Sequence, residues 1–76
     1  MKFQDLLEKI YQALPDLRDQ LHFNHVDYLA GKASATVHFT SDALVEESAF
    51  IVTRKILQRA FPKIRVSLRI DRKSVV

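Results

Sequence analysis

The apolar residues of the first segment recur at the spacing of an α-helix. They lie three or four positions apart and form one stripe along a helix: Phe3, Leu6, Leu7, Ile10, Tyr11 and Leu14. Pro15 ends this helix, because proline lacks a backbone N–H and disfavours helical geometry at Leu14. We expect a short turn over residues 16–21, with Leu17 and Leu21 packing inward.

The middle of the chain alternates in steps of two, as half-buried strands do. In HVDYLAGKASATVHFT, residues 25–40, this alternation puts Tyr28 and Phe39 into the core. Gly31, the one glycine of the chain, interrupts the pattern and predicts a two-residue Gly31-Lys32 hairpin with positive φ at the glycine. The antiparallel register that this loop imposes pairs Val26 with Val37, Tyr28 with Ala35 and His25 with His38.

Helical spacing returns from Ala49 to Phe61, and Pro62 ends it. The expected core face of this second helix is Ala49, Val52, Thr53, Ile56, Leu57 and Ala60. Residues 63–70 then alternate strictly, which predicts a strand with a basic outer face. Its inward residues are Ile64, Val66, Leu68 and Ile70, and its outward residues are Arg65, Ser67 and Arg69.

These elements predict an α+β fold in the order α-β-β-(α)-α-β, where the bracket marks a short turn or helix. A strand, a helical crossover and a further strand form a right-handed unit, so the last two strands should be parallel. The expected architecture is a small two-layer sandwich, with a three-stranded mixed sheet and both long helices on one face. With 76 residues the chain is one domain, residues 1–76, which we interpret as a fragment of a longer protein.

The junction SDALVEESAF, residues 41–50, carries three acidic side chains in a chain of net charge +3. We expect Asp42 to cap the short helical turn. Glu46 and Glu47 should lie in the first turn of the second long helix, where the helix dipole favours negative charge.

Composition narrows the cellular setting. The chain has no cysteine, which excludes disulfides and thiolate metal sites. The longest apolar runs are far too short to span a bilayer, and the N-terminus lacks the apolar region of a signal peptide. We therefore expect a cytoplasmic protein that does not associate with membranes.

Charge is divided unevenly along the chain. Residues 1–53 have a net charge of −4, whereas residues 54–76 have eight basic side chains and one acidic one, a net charge of +7. Such asymmetry is typical of a surface for nucleic acid or an acidic partner, and also of two faces of one fold that attract each other.

His25 and His38, paired across the hairpin with Asp27 nearby, could bind a transition metal. Spacing fixes no third ligand, so we predict two solvent-facing histidines, no metal site and no cofactor. The sequence also has no nucleophile elbow, no paired catalytic carboxylates and no phosphate-binding loop. We expect no catalytic residues in this chain.

Two surfaces remain as candidates for binding. On the second long helix, Ile51 lies among Arg54, Lys55 and Arg59, and an apolar residue ringed by cations suits the centre of a protein contact. The alternative is a single-stranded nucleic-acid site on the sheet face. Its residues would be Arg65, Arg69, Arg72 and Lys73, and it lacks exposed aromatic residues for base stacking.

The order of elements resembles the type II KH domain, which grips nucleic acid through a GXXG loop between two helices. The corresponding segment here is Leu44-Val45-Glu46-Glu47-Ser48. It has no glycine, and its two carboxylates would repel phosphate. The resemblance therefore implies weak or absent direct binding of nucleic acid.

A second resemblance covers most of the chain. The run VHFTSDALVEESAFIVTRKILQRAFPKIRVSLRI, residues 37–70, has Leu44-Val45 after a strand, a helix that ends in Phe61-Pro62, and an alternating strand from Ile64 to Ile70. In these features it is similar to the N-terminal domain of the PolC-type DNA polymerase III α subunit of Gram-positive bacteria, especially clostridial forms.

This resemblance implies a KH-like domain without the GXXG loop, in front of an oligonucleotide-binding fold, a PHP domain, a 3'-5' proofreading exonuclease and the DNA-directed DNA polymerase core. The metal-binding and catalytic carboxylates of that family lie in those other domains, and none maps onto this chain. The implied role is a protein interaction during DNA replication. The implied partner is another replisome subunit, such as the clamp-loader tau subunit, and the isolated domain is expected to be a monomer.

Overall fold

The computed structural model describes residues 3–72, which fold as two α-helices and three β-strands in the order α-β-β-α-β. The prediction of a small α+β fold is therefore confirmed. Short 3-10 turns at Pro15–Leu17 and Ala30–Lys32 separate some of these elements. The elements are α1 (Phe3–Ala13), β1 (Leu21–Leu29), β2 (Ser34–Ser41), α2 (Glu47–Ala60) and β3 (Arg65–Arg72).

The three strands form one mixed sheet in the order β1-β2-β3. Strand β1 is antiparallel to β2, and β2 is parallel to β3. Helix α2 is the crossover between the two parallel strands, so the predicted βαβ unit is confirmed. Because β2 is central, β1 and β3 are the edges of the sheet.

The register of the hairpin is as predicted near its loop. Val26 lies opposite Val37, and His25 lies opposite His38. A bulge between Phe23 and His25 then shifts the register by one residue. The extra residue shifts the apolar alternation by one position, from Leu21 and Phe23 before the bulge to Val26 and Tyr28 after it.

The loop of the hairpin differs from the prediction. It runs from Ala30 to Ala33, and the residue with positive φ is Ala33, at 47°, rather than Gly31. A four-residue loop that begins with a 3-10 turn puts the left-handed position at its last residue. Ala33 therefore carries a conformation that glycine adopts at lower cost.

The segment between β2 and α2 contains no helix, which corrects the short helical turn expected there. The Ser41 hydroxyl donates to the Ala43 carbonyl at 2.6 Å and accepts from the Ala43 N–H at 3.1 Å. This local turn replaces the predicted cap by Asp42, whose carboxylate instead contacts His22. Glu47 lies in the first turn of α2, as predicted, whereas Glu46 was expected there too but directly precedes the helix.

Both helices pack on one face of the sheet and enclose the core. Its largest fully buried side chain is Phe39, on the central strand. Each such side chain contributes roughly 1.5–3 kcal/mol by leaving water. The core consists of Leu6, Ile10, Leu21, Val37, Phe39, Leu57, Val66 and Leu68.

The helices do not cover the hairpin end of β1, and this corrects the prediction that Tyr28 lies in the core. Tyr28 is 58% exposed, and Val26 is 41% exposed. Their cross-strand partners Ala35 and Val37 are buried. Alternation thus identified the correct face of β1, but it does not report how far along a strand the helices reach.

Tyr11 ties α1 to the start of β1. Its hydroxyl donates a hydrogen bond to the Leu21 carbonyl at 3.0 Å. Burial raises the pKa of the Tyr11 hydroxyl above its ordinary value of 10.0, and the nearby Glu8 carboxylate adds to this, whereas Arg18 opposes it. Within residues 3–72, no helix combines the length and the apolar composition needed to cross a membrane.

Candidate binding surfaces

The outward face of α2 presents apolar and basic side chains together. We call Ile51, Arg54, Lys55 and Arg59 the α2 surface. Ile51 is 38% exposed and the three cations are exposed, as the helical spacing predicted. The neighbouring Val52 was expected in the core but is 37% exposed, and it lines a separate groove with Leu14, Leu17 and Leu44.

The cations of the α2 surface have no acidic partner within the described residues. The ion pairs within residues 3–72 involve other basic groups: Arg18 with Glu8, Arg69 with Asp71, and three histidines with aspartates. No ion pair within residues 3–72 therefore neutralises these three cations. Their positive charge is available to a partner.

A hydrogen-bonded side chain fixes the end of this surface. The Gln58 amide donates to the carbonyls of Phe61 and Ile64, at 2.9 and 2.8 Å, and its oxygen accepts from the Val66 N–H at 3.0 Å. These bonds hold the turn after α2 against the helix. A shallow groove results, lined by Arg54, Lys55, Gln58, Arg59 and Pro62.

The face of the sheet that the helices leave open carries a polar cluster, which we call the histidine cluster: His25, Asp27 and His38. The two imidazole rings are stacked, with centroids 4.2 Å apart and planes 11° apart. The Asp27 carboxylate lies 2.8 Å from Nε2 of His38 and 3.5 Å from Nε2 of His25. One atom from each residue could reach a metal ion, since these atoms lie within 4.8 Å of one another.

Within this cluster, Nε2 of His38 is buried and has no hydrogen-bond partner among the described residues. The Asp27 carboxylate lies 2.8 Å from it, at the distance of an ion pair. Unsatisfied buried polar atoms are rare in folded proteins. This nitrogen is therefore a candidate ligand atom.

The four cations of the predicted nucleic-acid site do not share one face. Arg65 and Arg69 lie on the open face, next to Ser34 and His38 on β2. Arg72 pairs with the buried Ser41, so strand alternation puts it on the helix side. Lys73 lies outside the described residues. Arg69 is also paired with Asp71, at 3.3 Å, so that of the two cations on the open face only Arg65 has no ion pair within the described residues.

An apolar groove lies beside the hairpin on the helix side of the sheet. It is lined by Phe3, Val26, Tyr28, Ala35, Val37, Phe61, Ile64 and Val66. Phe23 continues it along β1 and packs against the rings of Phe3 and Phe39, at centroid distances of 4.6 and 5.8 Å. The groove arises because the helices end short of the hairpin.

Neither family models, nor curated proteins, nor solved structures provide a match to this chain. The geometry of its surfaces is accordingly what bears on its function.

The sequence contained the signal for part of these surfaces. Period-two alternation puts His25 and Asp27 on the same face of β1, and the hairpin register brings His38 opposite. The sequence did not predict that the Asp27 carboxylate lies within 3.5 Å of both imidazoles. The Gln58 contacts had no signal in the sequence, because they depend on how the turn after α2 folds back.

Proposed function

We propose that this chain is a non-catalytic protein-interaction domain that binds an acidic protein surface through α2. The observation that carries this proposal is the exposure of Ile51 among cations without acidic partners within residues 3–72. Binding energy in interfaces is concentrated in a few anchors near the centre of the contact, among which arginine is enriched. Unpaired cations add long-range attraction for a negatively charged partner.

The sequence pattern suggests a setting for this role. A chain similar to the N-terminal domain of PolC-type DNA polymerase III would act in bacterial DNA replication. The polymerase and 3'-5' exonuclease activities would then lie elsewhere in the parent chain. The partner would be another replisome subunit in the cytoplasm, such as the clamp-loader tau subunit, whose binding would require acidic groups opposite Arg54 and Arg59.

The alternative function is a single-stranded nucleic-acid-binding module on the open face of the sheet. Its support is weaker, because Arg72 faces the helix side and Arg69 is already paired with Asp71. The open face also places two histidines where such modules carry larger aromatic rings for stacking.

The proposal is tested by calorimetric titration of the domain with purified tau subunit. Ile51→Asp puts a charge at the centre of the contact, and Arg54→Glu reverses one of its cations. Each change should weaken binding by at least about tenfold, the equivalent of roughly 1.4 kcal/mol. Binding should also weaken as salt is raised.

Matched variants control for general effects of these substitutions. Leu44→Asp changes an exposed leucine outside α2, and Lys32→Glu reverses an exposed cation in the hairpin. Both should bind as the unaltered domain does. Equal losses in these controls, or full binding by Ile51→Asp and Arg54→Glu, would remove the α2 surface from consideration. Binding that is instead lost on Tyr28→Asp would move the contact to the apolar groove beside the hairpin.

A further inference from the structure

We propose that the histidine cluster is a binding site for a transition-metal dication of the Zn²⁺ type. Two imidazoles and a carboxylate are ligands that Zn²⁺ accepts. The proposal departs from the sequence-based prediction that this chain binds no metal. It concerns the open face of the sheet and does not depend on the α2 surface.

The fold itself brings the three ligands together. His25 and Asp27 are two residues apart on β1, so their side chains leave the same face of the sheet. His38 lies directly opposite His25 on β2. The site thus rests on two hydrogen-bonded strands, and a framework of this kind holds ligands in place better than a mobile loop does.

The distances are close to those of a metal site. Two ligand atoms about 2.1 Å from one tetrahedral ion are about 3.4 Å apart. The Asp27 oxygen lies 3.5 Å from Nε2 of His25 and 2.8 Å from Nε2 of His38. For all three ligands to bind one ion, the two stacked rings must turn so that their nitrogens point at it. His25 is half exposed and has room for this rotation.

The buried Nε2 of His38 is the second observation that points to a ligand. It lies 2.8 Å from the Asp27 carboxylate, yet it has no hydrogen-bond partner among the described residues. A neutral imidazole offers its lone pair to a metal ion in the plane of the ring. An ion between the two histidines and Asp27 would satisfy the nitrogen and neutralise the carboxylate.

The site supplies three protein ligands and lies at the surface. The fourth position of a tetrahedral ion would be taken by water, which is the pattern of an open site rather than a closed structural one. The proposal is limited to binding. Nearby Arg69 is held by Asp71.

The test is titration of the full chain with ZnCl₂, followed by calorimetry and by NMR of the histidine rings. We expect one ion per chain, with shifts of the ring signals of His25 and His38 and little change at His22. Co²⁺ in place of Zn²⁺ should give the visible absorption of a tetrahedral site. Binding should weaken as the pH is lowered, because imidazole binds metal only when neutral.

Substitutions separate a built site from casual binding to histidine. His25→Asn and Asp27→Asn change exposed residues, so both variants should stay folded, and each should lower the Zn²⁺ affinity at least about tenfold. His22→Asn is the matched control, because His22 also contacts an aspartate, Asp42, at 3.1 Å but has no second histidine. Equal loss in the His22 variant, or unmoved ring signals of His25 and His38, would overturn the proposal. Ile51→Asp should leave Zn²⁺ binding unchanged.

Discussion

The side-chain oxygen of Gln58 accepts a hydrogen bond from the backbone N–H of Val66 at 3.0 Å, across the turn that joins α2 to β3. The same side chain donates to the carbonyls of Phe61 and Ile64. One glutamine thus bonds three backbone groups of the turn and the start of the strand. It also holds the end of α2 in place against the parallel strand.

Replacement of this glutamine should destabilise the fold. Gln58→Ala removes three hydrogen bonds, and at about 0.5–1.5 kcal/mol each, reduced by partial exposure, we expect a loss of about 2 kcal/mol. Urea unfolding followed by circular dichroism would measure it. Gln58→Glu keeps the acceptor for Val66 but faces two carbonyls with a negative charge, so it should also destabilise. Gln12→Ala, at an exposed position of α1, is the control and should change stability by less than about 0.5 kcal/mol.

The hairpin loop predicts opposite preferences at two small residues. Ala33 has a φ of 47°, so Ala33→Gly should relieve strain and stabilise the domain by about 0.5 kcal/mol. Gly31 lacks positive φ, and a Cβ built there meets nothing within 4 Å. Gly31→Ala should therefore be neutral or stabilising by up to about 1 kcal/mol. Thermal unfolding of the two variants decides this, and a marked loss in Gly31→Ala would restore the two-residue turn predicted from the sequence.

Burial, rather than hydrophobicity alone, should determine the cost of removing an apolar side chain. Phe39 is fully buried at the centre of the core, so Phe39→Ala should cost about 3–5 kcal/mol. A domain of this size has little more than that to lose, and the variant should be largely unfolded at room temperature. Leu44 is 73% exposed, and Leu44→Ala should have the same free energy of unfolding as the unaltered protein. Comparable losses in both would contradict the described core.

Stability at alkaline pH should depend on Tyr11. Since the pKa of this hydroxyl is raised in the folded state, the native protein holds its proton longer than the unfolded chain does. The contribution of Tyr11 is therefore complete below pH 10.0, the ordinary value, and is lost as the pH rises through the folded value. Tyr11→Phe should cost about 1 kcal/mol at neutral pH through the lost bond to Leu21, and it should flatten the decline above pH 10.0. Urea unfolding at a series of pH values would measure this. If the free energy of unfolding of Tyr11→Phe falls above pH 10.0 as steeply as that of the unaltered domain, the assignment is wrong.

Period-based reasoning predicted the elements that bury one face. The alternation of β2 and β3 and the stripe of α1 identified the core residues Leu6, Val37 and Leu68, and chain order predicted the parallel pairing. These features follow from local spacing and from the helical connection between β2 and β3.

The features that the sequence did not predict depend on contacts between distant segments. The exposure of Tyr28 reflects how far α1 and α2 extend over β1. The contact of Asp42 with His22, in place of a helix cap, arises because the two strands bring those residues together. For the candidate sites, spacing identified Ile51 and its cations, but the separation of Arg72 from Arg65 became visible only once the end of β3 was traced.

The proposed role of the α2 surface is tested most directly by NMR titration of the ¹⁵N-labelled domain with purified tau subunit and, separately, with a single-stranded oligonucleotide. The account predicts that tau shifts or broadens the amide signals of Ile51, Arg54, Lys55 and Arg59, and that the oligonucleotide leaves the open face of the sheet unchanged. Signals at Arg65 and Arg69 that respond to the oligonucleotide, with no response of α2 to tau, would contradict it.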